Sequence, residues 1–315
     1  MLHPILLVPG LLGSKLRCRE ELVWGSFTAA LGWRSARLQL PLAPSPLPAP
    51  FTACGAVERM VRGIYARFLS RARNRIQIFA YDWRFSHTQW VEALRAELLR
   101  STEPVCIVAH CTGGLLVDLA LSSEEAAAKV HRVAFVGCPR GGTLKSFQCL
   151  TEGLRLAPIG IRFDPALLFT LPALFDALPD NGKVFGDRGP DLWDAQAWQH
   201  EGWGVFAGKR ETALYEHLRL QLARGKAVRN AVNAALEWRG PPVRFYTSRS
   251  HATAAGAELT AQGIRFTRSE PGDGTVTASS ATLRAREDEV RSCNAPHRYL
   301  LEDPELLDDL FRFLE

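Results

Sequence analysis

The chain has 315 residues, 47% of them hydrophobic and 23% charged, which is the composition of an ordinary globular protein. The net charge of +5 is too modest to indicate a nucleic-acid partner, although it mildly favours anionic lipid surfaces or acidic proteins. Seven cysteines, odd in number and irregularly spaced, argue against a disulfide framework and a zinc site. With no apolar run long enough for a membrane span and no signal peptide recognised, we expect a cytoplasmic protein without a transmembrane segment, a metal or another cofactor.

The first predicted element is a strand at residues 4–8, which the segment VPGLLGSKL follows. A glycine-bearing loop after an early strand supplies a backbone N–H to the oxyanion hole of many acyl-transfer enzymes. Either Leu11 or Leu12 is the candidate donor, and we prefer Leu12. The alternative is an ordinary turn between a strand and a loop.

The next part of the chain is predicted to be irregular and then to alternate between helices and strands. Residues 24–56 are expected to form a loop that carries the proline-rich run PLAPSPLPAP. Apolar residues at helical spacing predict an amphipathic helix over residues 55–71. A strand over residues 76–81 and a second amphipathic helix over residues 87–100 complete this region.

The stretch VCIVAHCTGGLLVDLAL begins as a buried strand, Val105–Val108, and ends as an apolar helix, Leu115–Leu121. A strand that turns directly into a helix around one nucleophile is the geometry of the nucleophile elbow, with the pattern G-x-S-x-G. Here the pattern is A-H-C-T-G, so Cys111 takes the place of serine at the N-terminus of a helix, where the helix dipole favours a thiolate. The alternative is a buried, inert structural cysteine.

A further strand over residues 130–137 precedes a segment without the strand–helix alternation, and the alternation returns with a strand at residues 243–247. This order predicts an α/β protein with a mostly parallel sheet and helices on both faces. We therefore divide the chain into a core at 1–143, an inserted cap at 144–240 and the rest of the core at 241–315. The cap is rich in apolar and aromatic residues, which suits either an acyl pocket or the cap's own small core.

Three residue types of a catalytic triad occur in the order nucleophile, acid, base: Cys111, Asp273 and His297. Asp273 lies in the tight turn PGDGTV, and His297 precedes a final helix that is predicted to begin near Pro304. In this arrangement His297 would take the thiol proton while Asp273 fixes its tautomer. The N–H groups of Thr112 and Leu12 would bind the oxyanion.

The segments HPILLVPGLLGSKL, GAVERMVRGIYARF, FAYDWR, VGCPRGGT, PGDGTV and PHRYLL, together with the elbow, resemble the lecithin:cholesterol acyltransferase-like branch of the α/β-hydrolases. The resemblance covers most of the chain and is weakest in the cap. It implies an α/β-hydrolase fold and acyl transfer or hydrolysis on ester substrates, without a cofactor. It also implies that Cys111 matches the family's serine, Asp273 its acid, His297 its base, and Leu12 and Thr112 its oxyanion donors.

A cysteine nucleophile would form a thioester intermediate, and thiols exchange with thioesters at little thermodynamic cost because the bond type is conserved. We therefore favour an acyltransferase or hydrolase acting on an ester or thioester, with an acyl-carrier protein or a lipid surface as the expected partner. One alternative is a lipase or esterase that tolerates cysteine. A second is a non-catalytic binding module, and oxidation sensing by Cys111 is a minor further possibility.

Overall fold

The computed structural model describes residues 2–26, 37–43, 51–59, 63–156, 160–236, 240–267 and 269–315. Its central feature is a six-stranded sheet in which each pair of neighbouring strands is parallel. The described strands are β1 Ile5–Val8, β2 Ser14–Cys18, β3 Glu21–Trp24, β4 Thr52–Ala56, β5 Ile76–Ile78, β6 Val105–His110, β7 Val130–Val136, β8 Leu154–Leu156, β9 Ile161–Phe163, β10 Val243–Ser248, β11 His251–Ala254, β12 Ala257–Thr260, β13 Gly263–Phe266, β14 Ser269–Gly272 and β15 Val290–Cys293. Across the central sheet the order is β15-β10-β7-β6-β1-β5.

The helices of the described residues follow the strands or cover the sheet. They are α1 Ala66–Ala72, α2 Val91–Arg100, α3 Gly113–Ala120, α4 Glu124–Ala127, α5 Leu144–Glu152, α6 Pro165–Leu168, α7 Pro172–Asp176, α8 Ala195–His200, α9 Thr212–Ala235, α10 Ala278–Ala281 and α11 Pro304–Phe313. Short 3₁₀ segments add His87–Trp90 before α2 and His297–Glu302 before α11.

The central sheet is covered on both faces, because successive side chains of a strand point to opposite sides. In β1, Ile5 and Leu7 belong to an apolar cluster with α1 and α11. Leu6 and Val8 belong to a second cluster with α2 and α3. Burial on both faces explains why the strands read as continuous apolar runs rather than as alternating ones. The predicted parallel sheet with helices on both faces is therefore confirmed.

The predicted helix over residues 55–71 is wrong in its first part. Residues 52–56 form β4, which pairs antiparallel with β2, and the helix begins only at Ala66. Val57 and Phe68 are buried as expected, but Met60 and Val61 lie outside the described residues. The expected loop over residues 24–56 likewise ends in a strand, and most of its proline-rich run lies outside the described residues.

Between residues 144 and 240 the described residues contribute helices and a small hairpin, β8–β9, instead of strands to the central sheet. The long helix α9 lies against α7 and α3. That this segment acts as a cap with boundaries at 144 and 240 stays a prediction. No helix among the described residues is long and apolar enough to cross a membrane.

Candidate active site

The elbow lies at the carboxyl end of β6, between the neighbouring strands β1 and β7. Strand β6 ends at His110 and α3 begins at Gly113, so only Cys111 and Thr112 connect them. Cys111 has a φ of +52°, in a region that residues other than glycine seldom adopt. Its N–H donates a hydrogen bond of 3.0 Å to the Val136 carbonyl oxygen, which anchors the strained turn to β7.

Gly113 explains why small residues are needed at this turn. A Cβ on Gly113 would lie 2.4 Å from the Val8 carbonyl oxygen, a contact that real Cβ atoms do not make. The first turn of α3 therefore lies directly against the end of β1. At the other end of the motif, Ala109 occupies the position that is glycine in the usual pattern, and it is fully buried.

His297 and Asp273 meet beside this elbow. The His297 Nδ1 lies 2.7 Å from Asp273 Oδ2, and the His297 N–H donates to the Asp273 backbone oxygen at 2.9 Å. The second carboxylate oxygen, Oδ1, accepts hydrogen bonds from the N–H groups of Thr275 at 2.9 Å and Val276 at 2.7 Å. The tight turn after β14 thus holds the carboxylate in one orientation.

Burial opposes ionisation of Asp273, but His297 and the two backbone donors outweigh it and lower the pKa of this carboxyl below its ordinary value. Burial also opposes the charged form of His297. The charge of Asp273, the charge of Cys111 and hydrogen bonds with both side chains nevertheless raise the pKa of His297 well above its ordinary value. Because Nδ1 is engaged by Asp273, Nε2 is the nitrogen that remains for the hydrogen bond with the Cys111 side chain.

Cys111 differs from most of the other cysteines in its exposure. All seven cysteines are described and free, and Cys111 is half-buried like Cys18 and Cys54. The remaining four, Cys106, Cys138, Cys149 and Cys293, are buried, and burial raises the pKa of each thiol. Among the seven, Cys111 is the one that combines access with a histidine partner.

The loop after β1 forms a turn at residues 10–13, which we call the oxyanion turn, and it lies against the elbow. The Gly13 N–H donates to the Gly10 oxygen at 2.9 Å, and Leu12 has a φ of +64°. The Leu11 N–H donates to Thr112 Oγ1 at 3.0 Å, and the Trp24 Nε1–H donates to the Leu12 backbone oxygen at 2.8 Å. In the part of the chain that the structure describes, the N–H groups of Leu12 and Thr112 donate no hydrogen bond.

Other buried carboxylates near the sheet are engaged in pairs of their own. These pairs are Asp82 with Arg84, Asp118 with Arg140, and Asp176 with His87. Within the described residues, no group of three or more histidine, cysteine or carboxylate side chains is placed to hold a metal ion.

His110 is a residue near the site to which the sequence pattern gave no role. The structure places its ring against that of His297, with the centroids 5.2 Å apart and the planes at 29°. Its other neighbour is the Tyr65 hydroxyl, 2.8 Å from Nδ1. The signal that could have indicated this contact is the position of His110 as the last residue of a buried strand, directly before Cys111.

Comparisons with known proteins agree with this architecture. A family model described as Serine hydrolase matches residues 66–157, which include Cys111 but not Leu12, Asp273 or His297. The structure is similar to that of the Tle4–Tli4 complex, at 12% identity and a TM-score of 0.60, over 99% of this chain and 98% of that chain. Bacillus licheniformis lipase BlEst2 in its mature form matches at 12% identity and a TM-score of 0.42, over 99% of this chain and 92% of that chain. No curated protein matches the sequence.

The parallel sheet, the strand–turn–helix around Cys111 and the full-length similarity at a TM-score of 0.60 confirm the predicted α/β-hydrolase fold. The serine hydrolase match falls on the part of this fold that carries the elbow. Together they establish the α/β-hydrolase fold for this chain and locate its likeness to a serine hydrolase on the nucleophile elbow.

Proposed function

We propose that the chain transfers acyl groups from ester or thioester donors through a covalent acyl-cysteine intermediate. Cys111 is the nucleophile, His297 the general base and acid, and Asp273 the residue that orients His297. The observation that carries this proposal is the strained backbone of Cys111, with a φ of +52°, beside a histidine whose Nδ1 lies 2.7 Å from a buried carboxylate.

In the first half-reaction, His297 Nε2 takes the proton of the Cys111 thiol and the sulfur attacks the carbonyl carbon of the donor. The carbonyl oxygen becomes an oxyanion, which the free N–H groups of Leu12 and Thr112 bind. When the tetrahedral intermediate collapses, the bond to the leaving alkoxide or thiolate breaks. His297 returns its proton to that group, and the acyl thioester of Cys111 remains.

In the second half-reaction, an acceptor hydroxyl, amine, thiol or water attacks the thioester carbonyl while His297 removes its proton. Collapse of the second intermediate breaks the C–S bond, and His297 reprotonates Cys111. The raised pKa of His297 supports both steps, since the imidazolium that forms in each is stabilised by the adjacent Asp273 carboxylate.

The choice between transfer and hydrolysis rests on the cysteine. A thioester exchanges with a thiol acceptor without a change of bond type, so an acyl-carrier thiol is the acceptor that we favour. The motifs around the site support a place in the lecithin:cholesterol acyltransferase-like branch, whose substrates are lipid esters. The residues at 144–240 are then proposed to form the cap over the acyl chain. The second candidate, simple ester hydrolysis, is favoured by the match to a serine hydrolase model.

Intact-protein mass spectrometry tests the proposal. Incubation with a short-chain p-nitrophenyl ester and with an acyl-coenzyme A thioester should add one acyl mass to Cys111. The Cys111→Ala variant should lose the adduct, whereas Cys54→Ala, which removes another half-buried thiol, should keep it. If no donor modifies Cys111, or if Cys111→Ala turns over substrate like wild type, the proposal is wrong.

The variant Cys111→Ser separates the two candidates. For an acyltransferase, serine should lower transfer to a thiol acceptor and raise the share of free acid that is released. For a hydrolase, serine should hydrolyse the ester at least as well as cysteine does. Free acid and acceptor-bound acyl group are measured in the same assay.

A further inference from the structure

His110 lies between His297, the proposed base, and Tyr65. The ring of His110 stacks on that of His297, and its Nε2 lies 3.4 Å from the His297 backbone oxygen. Its Nδ1 lies 2.8 Å from the Tyr65 hydroxyl oxygen. Only 6% of His110 and 1% of Tyr65 are exposed, so water does not replace these contacts.

The tautomer of His110 is set by its two hydrogen-bond partners, the Tyr65 hydroxyl and the His297 backbone oxygen. Burial and the neighbouring charge of His297 lower the pKa of His110 to about 3, so its imidazole is neutral and carries a single N–H. The His297 backbone oxygen can only accept, which places this hydrogen on Nε2 and leaves Nδ1 as an acceptor for the Tyr65 O–H. Burial raises the pKa of Tyr65 well above its ordinary value, so the phenol keeps the proton that it donates.

Tyr65 also connects this cluster to the other half of the site. A Cβ on Gly13 would lie 2.8 Å from its hydroxyl oxygen, so the phenol packs beneath the oxyanion turn. One buried hydroxyl therefore lies beside the proposed oxyanion donors and, through His110, supports the proposed base.

We propose that His110, held by Tyr65, is a positioning residue that keeps the His297 imidazole directed at Cys111. The stacked ring limits rotation of the imidazole, and the Nε2–H holds the backbone carbonyl from which that side chain extends. This inference rests on the proposed function, since it assigns His110 a task only if His297 serves Cys111. Both ring nitrogens of His110 are engaged, one with the Tyr65 hydroxyl and the other with the His297 backbone oxygen.

The main test compares the rate of Cys111 acylation, at saturating donor, in two variants of His110. His110→Leu keeps a buried apolar volume but removes the hydrogen bonds, and it should slow acylation by about 10- to 100-fold with little change in KM, because misplacement by about 1 Å costs up to that range. His110→Gln retains an N–H donor and should recover part of the rate. His131→Leu, at the start of β7 and outside the site, should acylate like wild type.

Tyr65→Phe removes the hydroxyl and should slow acylation by itself, yet add no further loss in the His110→Leu background, because Tyr65 acts through His110. Additive losses, or a His110→Leu variant that acylates at the wild-type rate, would overturn the inference while leaving the proposed function intact.

Alkylation of Cys111 by iodoacetamide gives a readout that needs no acyl donor. The groups that face His297 are Asp273, Cys111 and His110, so the alkylation of Cys111 reports on the placement of the imidazole. His110→Leu should change the pH profile of alkylation from that of wild type. If wild type is never acylated, the proposed function fails, and identical alkylation profiles would still refute the role of His110.

Discussion

Replacing Asp273 with asparagine is expected to trap His297 in the wrong tautomer. In the native turn, Asp273 Oδ1 accepts two backbone N–H groups while Oδ2 lies 2.7 Å from His297 Nδ1. Asparagine has a single side-chain acceptor oxygen, and we expect it to accept the hydrogen bonds of the Thr275 and Val276 N–H groups. Its NH₂ group then faces Nδ1, so Nδ1 must accept and the hydrogen moves to Nε2, the nitrogen that has to take the Cys111 proton.

The magnitude follows from the hydrogen bonds that the productive arrangement would break. Turning the asparagine amide around restores the tautomer but leaves the two buried N–H donors of the turn unpaired, at about 1–3 kcal/mol each. The combined cost of about 2–6 kcal/mol corresponds to acylation that is roughly 30- to 3 × 10⁴-fold slower, at 1.36 kcal/mol for each tenfold change. Because the Asp273 charge raises the pKa of His297, the variant should also lower that pKa and move the pH profile of acylation with it.

Stopped-flow measurement of the acylation burst with a p-nitrophenyl ester, repeated across pH, gives both quantities. Asp118→Asn is the matched control, because Asp118 is another buried carboxylate, bonded to Arg140 at 3.0 and 3.1 Å. It should lower the thermal midpoint without moving the pH profile. An Asp273→Asn variant that is acylated as fast as wild type, with the same profile, would refute the tautomer argument.

Three further predictions concern the backbone of the site and its charges. Gly113→Ala should lower the free energy of unfolding in urea by about 2 kcal/mol or more, because its Cβ would lie 2.4 Å from the Val8 oxygen. Thr112→Val should slow acylation by about tenfold, since the oxyanion turn loses the hydroxyl that fixes it. The pKa of Asp273 is lowered in the folded state, so its ionised form stabilises the fold above pH ~4, and this stabilisation is lost as the pH falls through the folded pKa. The pKa of His297 is raised, so its charged form stabilises the fold below pH ~6.5, and this stabilisation is lost as the pH rises through the folded pKa of His297. Their coupling in a double-mutant cycle of urea unfolding should therefore be largest between about pH 4 and 6.5.

Each of these predictions has a control in the chain. Gly141→Ala should be tolerated, because a Cβ there would meet its nearest neighbours at 3.4 Å, an ordinary contact. Thr112→Ser keeps the hydroxyl and should restore most of the acylation rate. A coupling between Asp273 and His297 that stays constant from pH 4 to 9 would contradict the assigned pKa directions.

The central sheet could be predicted from the sequence because its strands are covered on both faces. Ile5–Val8 and Val105–Val108 are continuous apolar runs, which suit a parallel sheet between two layers of helices. The strands that the sequence predicted correctly are therefore those whose own residues are apolar enough to indicate burial on both faces. The turn chemistry at Gly10, Gly113 and Gly274 marked the ends of these elements equally well.

The error at residues 52–56 has a different physical origin. The segment TACGA has little strand character of its own, and Gly55 adopts a φ of +78° that suits neither a regular strand nor a helix. It becomes a strand because β2 offers a partner, and Ser14 and Ala56 pair across the two strands. Such pairing depends on contacts that are distant in the sequence. Val57 and Phe68 then reproduce helical spacing by coincidence, since both are buried but only Phe68 lies in a helix.

The contact of His110 with His297 was not predicted, because the side chains of His110 and Cys111 do not follow one simple strand alternation at this point. Alternation places Val108 and His110 on the face of β6 that packs against α1 and α11, and Tyr65 lies on the same side. The short segment that begins with His297 precedes α11 and approaches from that face, so the His297 ring meets that of His110 there. The left-handed backbone of Cys111 then breaks the alternation and turns its side chain to the carboxyl edge of the sheet. A residue that alternation directs away from Cys111 thereby lies against His297, the contact on which its proposed positioning role rests.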